Sequence, residues 1–328
     1  MGRFLIRRCL WAIVLVFAVT VVTYAIFFLL PTDPARLAAG RGASPQSIER
    51  IRKLLHFDEP VWEQYGRFVW NLFGHGSLGY SYVNREEVSR RVGEDLPVTA
   101  SLIAGGVLLV IMVSIPVGML SALRPRSLLD RCAMIFVLIG ISTHPVWLGL
   151  VLSFVFGYKL GLTPIAGYCN AIAGPYDQCG GAIQWASHLL LPWITFSVLF
   201  AALYVRMIRA QLMEALNEDY VRTARAKGLS ELRVVARHAM RNSMLPIVTI
   251  LGMDLGLAFG TAVFIEQTFG LPGIGHDLLN ASNQLDLPVI VGIVMVVALI
   301  IVGLNLVVDI VYGLLDPRIR LTEPVRLG

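Results

Sequence analysis

Six long apolar runs, at about 9–30, 98–123, 132–157, 189–205, 244–265 and 288–313, constrain this chain more than any other feature. A helix needs roughly 20 apolar residues to cross about 30 Å of hydrocarbon. All but the fourth run reach that length easily. Within lipid each backbone N–H and C=O must find a partner inside the protein, so such runs fold as helices. The 328 residues therefore read as an all-α polytopic membrane protein with six transmembrane helices. Composition agrees: 56% of the residues are hydrophobic, 15% are charged and the mean hydropathy is +0.70, where an ordinary soluble domain is about 25% charged. A soluble enzyme is excluded as the default.

The first run follows Arg3, Arg7 and Arg8, as the apolar part of a secretory signal would. It is too long for one and no small-x-small cleavage site closes it, so residues 1–30 read as a retained helix. The net charge of +5 does not point to nucleic acid, because the basic residues are scattered between the runs rather than gathered on one module. Of the 27 Lys and Arg, 17 lie in the about 70 residues of the N-terminus, the 124–131 turn, the 206–243 segment and the tail, and 10 in the about 120 residues of the other connections. The positive-inside rule then places both termini in the cytoplasm, and six spans fit that parity.

Between the runs, residues 31–97 are too polar for a bilayer and too rich in helix signals for a plain loop, and read as a small extracytoplasmic helical cap. Ser44-Pro45 gives an N-cap and a first helical residue, with Ile48, Ile51 and Leu55 at helical spacing. Pro60 opens a second amphipathic run through Val61, Tyr65, Phe68, Val69 and Leu72. The cap is either a docking surface for an outer partner or a lid with Trp62, Trp70 and Phe73 at headgroup level. Residues 98–313 form a five-helix core, and 314–328 a cytoplasmic tail. The outer loop 158–188 holds Cys169 and Cys179, which we read as a disulfide; on an oxidising face it closes a loop worth roughly 3 kcal/mol.

The 206–243 connection is far longer than joining two neighbouring helices requires. Helix-compatible sequence runs from Arg206 to Lys227, Gly228 supplies a left-handed C-cap, and Ser230 with Glu231 starts a second helix. Arg233, Arg237 and Arg241 then recur at i, i+4 and i+8. This basic stripe suits either anionic lipid headgroups or a soluble protein partner.

No HExxH, GxSxG, CxxC or GxxxxGK[ST] occurs, so the chain carries neither a recognisable catalytic constellation nor a phosphate cradle. Gly270-Leu-Pro-Gly-Ile-Gly275 lacks the strand context of a nucleotide loop and reads as a turn. One carboxylate lies well inside a span: Asp254, which costs about 3 kcal/mol or more near the bilayer centre and so calls for a functional reading. Asp309 is near a span end and reads as structurally paired, and His144-Pro145 marks a local break in the third span.

The segment Asp219-Tyr-Val-Arg-Thr-Ala-Arg-Ala-Lys-Gly-Leu-Ser230, followed by Arg237-His-Ala-Met-Arg-Asn242 and Leu245-Pro246, resembles the coupling loop of binding-protein-dependent ABC importer permeases. Arg222-Thr223-Ala224 stands in place of that family's EAA box, with Gly228 at the expected spacing, in a form similar to the dipeptide, oligopeptide and nickel branch. Leu29-Leu30-Pro31-Thr32-Asp33-Pro34, Glu266 to Gly275 and Leu315-Asp316-Pro317-Arg318 match the same branch, while Thr32 and Gly74 to Gly79 depart from it. The resemblance implies a type I importer permease of the bacterial cytoplasmic (inner) membrane. Its partners would be a second permease, two cytoplasmic ATPases that bind the ATP and Mg, and an extracytoplasmic solute-binding protein. No cofactor or metal is implied for this chain. Tyr220, Ala224, Arg225, Lys227, Gly228 and Leu229 would couple to the ATPases, and Asp254 and Glu266 would line the pathway. Short peptides are the implied substrate, with nickel or glutathione as alternatives. An ion-coupled secondary transporter is the alternative from another class, and it would call for more intramembrane carboxylates than Asp254.

Overall fold

A computed structural model describes residues 2–29, 34–39, 42–54, 58–81, 83–172 and 179–315. The Asp316 to Arg318 part of the last matched motif and most of the tail lie outside them, as do Leu30 to Asp33. Among the described residues the regular structure is all helical: only two isolated bridging pairs occur, Tyr80 with Glu87 and Asn170 with Gly180. The helices are α1 (Gly2–Leu29), α2 (Pro34–Ala39), α3 (Pro45–Leu54), α4 (Val61–His75), α5 (Val88–Leu123), α6 (Leu128–Ser142), α7 (Pro145–Leu152), α8 (Ala182–Leu216), α9 (Asp219–Ala226), α10 (Glu231–Arg233), α11 (Met240–Phe269), α12 (Ile274–Gln284) and α13 (Leu287–Leu315). Three of them are long and apolar enough to cross a membrane, α5, α8 and the Leu287–Val308 part of α13, and up to five spans result if each bent pair counts as one. α1 adds an apolar stretch over Leu10–Ala25.

Two runs depart from simple spans for visible reasons. The third is bent by 109° between Leu128–Ser142 and Pro145–Lys159. His144 is extended there and its Nδ1 accepts the Val146 N–H at 3.3 Å, while Pro145 takes the first helical position and disfavours helix in the residue before it. The chain widens into a π-helical segment over Ser153–Lys159. The fourth run, short in apolar residues, belongs to a 35-residue helix that continues through polar residues at both ends.

The chain divides into two compact units. One comprises residues 1–99 and 272–303. In it α4 lies along α1: Tyr65 and Phe68 pack on Phe17 and Tyr24, and the Tyr65 hydroxyl meets Thr20 Oγ1 at 2.7 Å. Trp62, Trp70 and Phe73 on α4 remain exposed. Its core joins Leu72, Leu78, Val88 and Val92 to Ile274, Ala281, Val289 and Ile293. Arg91 pairs with Asp277 and with Glu86, Ser81 with Asp286, and Thr99 Oγ1 accepts the Ile274 N–H at 2.9 Å.

The second unit comprises residues 100–271 and 304–328 and carries every candidate site residue. α8 is its axis. Gly105 and Gly106 on α5 admit Trp193 and Phe196 of α8 so closely that a Cβ would lie 2.2 and 2.5 Å from those rings. Small residues that let helices approach are the usual device of apolar helix packing in membranes. Trp193 Nε1 also donates to the Ser101 carbonyl at 3.0 Å.

Candidate coupling segment and intramembrane recess

α8 does not run to Lys227 as helix compatibility alone suggests; it stops at Leu216. Asn217 closes it by turning its N–H to the Glu214 carbonyl and its Nδ2 to the Met213 carbonyl, both near 2.9–3.0 Å. Glu218 is extended, and Asp219 then places a negative charge in the first turn of α9, where the helix dipole favours it. The run Asn217-Glu218-Asp219 is a capping signal that helix propensity over the longer segment obscured.

Burial gives α9 two faces. Val221 and Ala224 are inward and join Ala122, Leu212, Ala215, Val234, Val235 and Ala239 in one apolar cluster, with Leu229 packed at its edge. Tyr220, Arg225, Lys227 and Gly228 are exposed. Ala224 is 5% exposed, so a larger side chain there would act by dislodging α9 from its seat. Gly228 has φ +74, donates its N–H to the Arg225 carbonyl at 2.9 Å, and has nothing within 4 Å of where a Cβ would stand. Ser230 follows in the extended conformation and the chain enters α10, a π-helical segment over Val234–Ala239, and α11.

Two polar ties hold this segment. Across the Gly228 turn, Arg225 donates to both carboxylate oxygens of Glu231, Nη2 to Oε1 at 2.6 Å and Nε to Oε2 at 3.1 Å. The Arg225 hydrogen bond holds the Glu231 carboxyl below its ordinary range. Both are exposed, so the brace contributes under about 1 kcal/mol but fixes the turn's geometry. Deeper in, Asp130 accepts from Arg209 Nε at 2.6 Å and Nη2 at 2.9 Å, from the Arg126 N–H at 2.8 Å, and from Ser121. Asp130 is 4% exposed, so this bidentate pair clamps α8 to the turn between α5 and α6. Arg225 and Glu231 are only six residues apart in the chain, whereas Asp130 and Arg209 are 79 apart.

Asp254, on α11, accepts a hydrogen bond from the Tyr204 hydroxyl of α8 at 2.8 Å through Oδ2. It borders a recess lined by Val107, Val110, Phe196, Phe200, Leu251 and Ala258. Glu266 is fully buried one turn before Gly270, whose φ of +61 ends α11. Cys169 and Cys179 are joined with Cα atoms 5.5 Å apart, and His188 Nε2 lies 3.6 Å from Cys169 Sγ. Among the described residues no cluster of three or more His, Cys, Asp or Glu could hold a metal ion.

Long apolar helices, with a short two-faced helix seated on an apolar cluster beside them, are the architecture of a membrane protein. Residues 114–321 match the family of binding-protein-dependent transport system inner membrane components, and residues 1–103 match the N-terminal part of such components. The chain belongs to this family. It is 37% identical over 320 residues to a protein of Brucella abortus (strain 2308) named as a peptide transport system permease, covering 98% of this chain and 99% of that one. It is similar also to the dipeptide transport system permease of Escherichia coli K12, 35% identical over 337 residues with the same coverage. The dipeptide transport system permease of Alkalihalophilus pseudofirmus is 33% identical over 336 residues, covering 98% of this chain and 100% of that one.

Proposed function

We propose that this chain is one permease subunit of an ATP-driven importer of short peptides, and that it forms half of the translocation pathway beside a second permease. The observation that carries the reading is α9: its Val221 and Ala224 face is seated on the subunit's own helices, which leaves Tyr220, Arg225, Lys227 and Gly228 to meet another protein. Relatives of nearly full length that bear peptide and dipeptide transport names support the substrate class.

In this reading both termini and residues 206–243 are cytoplasmic, and the chain crosses the bacterial inner membrane six times. Residues 31–97 form the outer cap, and 98–313 the core. Two cytoplasmic ATPases bind ATP and Mg and dock on residues 214–230, and a solute-binding protein delivers peptide from outside. Closure of the ATPases moves α9, and the Asp130–Arg209 clamp passes that movement to α8 and the α5–α6 turn. Asp254 and Glu266 line the pathway.

Uptake by proteoliposomes holding the whole complex tests it. Labelled dipeptides and tripeptides should accumulate only with ATP and with this chain present. Accumulation of nickel or glutathione without peptide would redirect the substrate, and transport by the lone chain on an ion gradient would overturn the importer reading.

A further inference from the structure

The turn between α5 and α6 is a cationic patch at the end of an apolar stripe. Arg124, Arg126 and Arg131 are exposed, and among the described residues none of their guanidinium groups has an ion pair or a hydrogen bond. Asp130 is their neighbour in the chain, but it is buried, and its two oxygens are taken by Arg209, Ser121 and the Arg126 N–H. Arg126 is also left-handed at φ +64, a conformation that glycine adopts without strain and an arginine does not. Strain of this kind collects at functional positions.

α6 carries on from this turn with two faces. Ala133 and Val137 cluster with Val205 of α8, and a Cβ at Gly140 would stand 2.6 Å from that of Ala202, so this face is closed against α8. On the other face Leu128, Arg131, Cys132, Ile135, Leu138 and Ile139 recur at helical spacing and are exposed. Leu128, at the head of the stripe, is 78% exposed. α6 is the first half of one of the bent pairs that count together as a span. From Arg131 to Ile139 it rises about 12 Å at 1.5 Å per residue, close to the ~15 Å depth of hydrocarbon in one leaflet. A soluble protein would meet only the charged end of such a surface. An anionic phospholipid matches both parts with one molecule: its phosphate suits the guanidinium groups, and its acyl chains suit Ile135, Leu138 and Ile139. A zwitterionic lipid carries its own cation and gains less from the arginines, and inorganic phosphate gains nothing from the stripe.

We infer that Arg124, Arg126 and Arg131, with the exposed stripe of α6, form a binding site for an anionic phospholipid, in the inner leaflet if the topology proposed above holds. Asp130 is the positioning residue: the carboxylate that holds Arg209 also accepts the Arg126 N–H and so fixes the left-handed turn. The assignment needs a membrane-spanning chain and does not rest on the peptide-importer reading.

Cys132 lies in the stripe as an exposed free thiol, which puts a reporter at the site. The whole complex, with Cys132 as its one reactive thiol carrying a small fluorophore, is reconstituted in equal mixtures of phosphatidylcholine and phosphatidylglycerol in which one lipid or the other has brominated chains. Brominated phosphatidylglycerol should quench the fluorophore more strongly than brominated phosphatidylcholine, and high salt should weaken that preference. Arg131→Gln should lower the preference about fivefold, the change expected for one lost headgroup contact. Arg126→Gly should lower it as well. Because glycine relaxes the left-handed turn, misfolding does not account for that loss, and this variant decides the matter if Arg131→Gln fails to assemble. Added inorganic phosphate should leave the quenching unchanged. Equal quenching by the two lipids in the wild type, or an unchanged preference in the assembled variants, overturns the site. Loss of the preference on adding inorganic phosphate overturns the lipid assignment. Quenching by neither lipid, with ATPase retention lost in Arg131→Gln, gives the patch to a protein partner and overturns it too.

Discussion

Replacing Gly228 separates what the turn does for this chain from what it does for a partner. Gly228 is left-handed at φ +74, and a Cβ built there meets nothing within 4 Å. Within the subunit, a side chain therefore costs backbone strain alone, about 1 kcal/mol. That is small beside a domain stability of roughly 5–15 kcal/mol, so the variants should insert and pair with the second permease normally. Asn and Asp enter the left-handed region more readily than most residues, so Gly228→Asn is less strained than Gly228→Ala although its side chain is larger. Strain ranks Ala as the worse change, whereas contact with a partner ranks Asn and Asp as worse. The coupling account predicts the second order: Gly228→Asp and Gly228→Asn lose ATPase retention and uptake together, about tenfold or more if the lost contact is worth ~1.4 kcal/mol, and Gly228→Ala is milder. Co-purification of the complex from membranes, with permease pairing measured in the same sample, provides the assay. Wild-type retention and uptake in Gly228→Asp would refute coupling through residues 214–230. A ranking with Ala worst would refute the contact explanation.

Further outcomes follow from the polar ties. Arg209→Ala strands the buried Asp130 carboxylate on Ser121 and the Arg126 N–H; because a quarter of the Arg209 side chain is exposed, the loss should be about 2–3 kcal/mol rather than the ~3–5 kcal/mol of a fully buried pair. Joint Asp130→Asn and Arg209→Met substitution should recover most of it in thermal unfolding, and an additive double loss would show that the pair is not the source. The Glu231 carboxyl is depressed by Arg225, so its contribution is present above the ordinary glutamate range near ~4.3 and is lost as pH falls through the lower folded value. The melting difference between wild type and Glu231→Gln should stay constant from about pH 8 to 5 and shrink below about pH 4. A difference that vanishes near neutral pH would remove the brace.

Much of this architecture is written locally in the chain. Apolar run length located the long helices, Gly228 marked the left-handed turn, and Pro145 after His144 marked the break in the third run. The size of that break was not legible: a proline announces a discontinuity, but packing against neighbouring helices sets the 109° angle. Nor could sequence place α4 along α1, since the Tyr65 and Thr20 contact joins residues 45 apart. The same limit hid Asp130 with Arg209 and Tyr204 with Asp254, each a pairing of long sequence separation. Ala224 illustrates a subtler gap. Its place in the coupling motif suggested a surface role, and the structure turns it into the apolar cluster with Val221.

The coupling claim is tested most directly by cross-linking α9 to the ATPases. With single cysteines at the exposed Tyr220 or Lys227, a short bifunctional thiol reagent should join this chain to an ATPase subunit, with a yield that changes when ATP is bound. Cysteine at the buried Ala224 should give little product. Strong, nucleotide-sensitive products from Tyr220→Cys and Lys227→Cys are the predicted result. No product from either, or an equal yield from Ala224→Cys, would contradict the account.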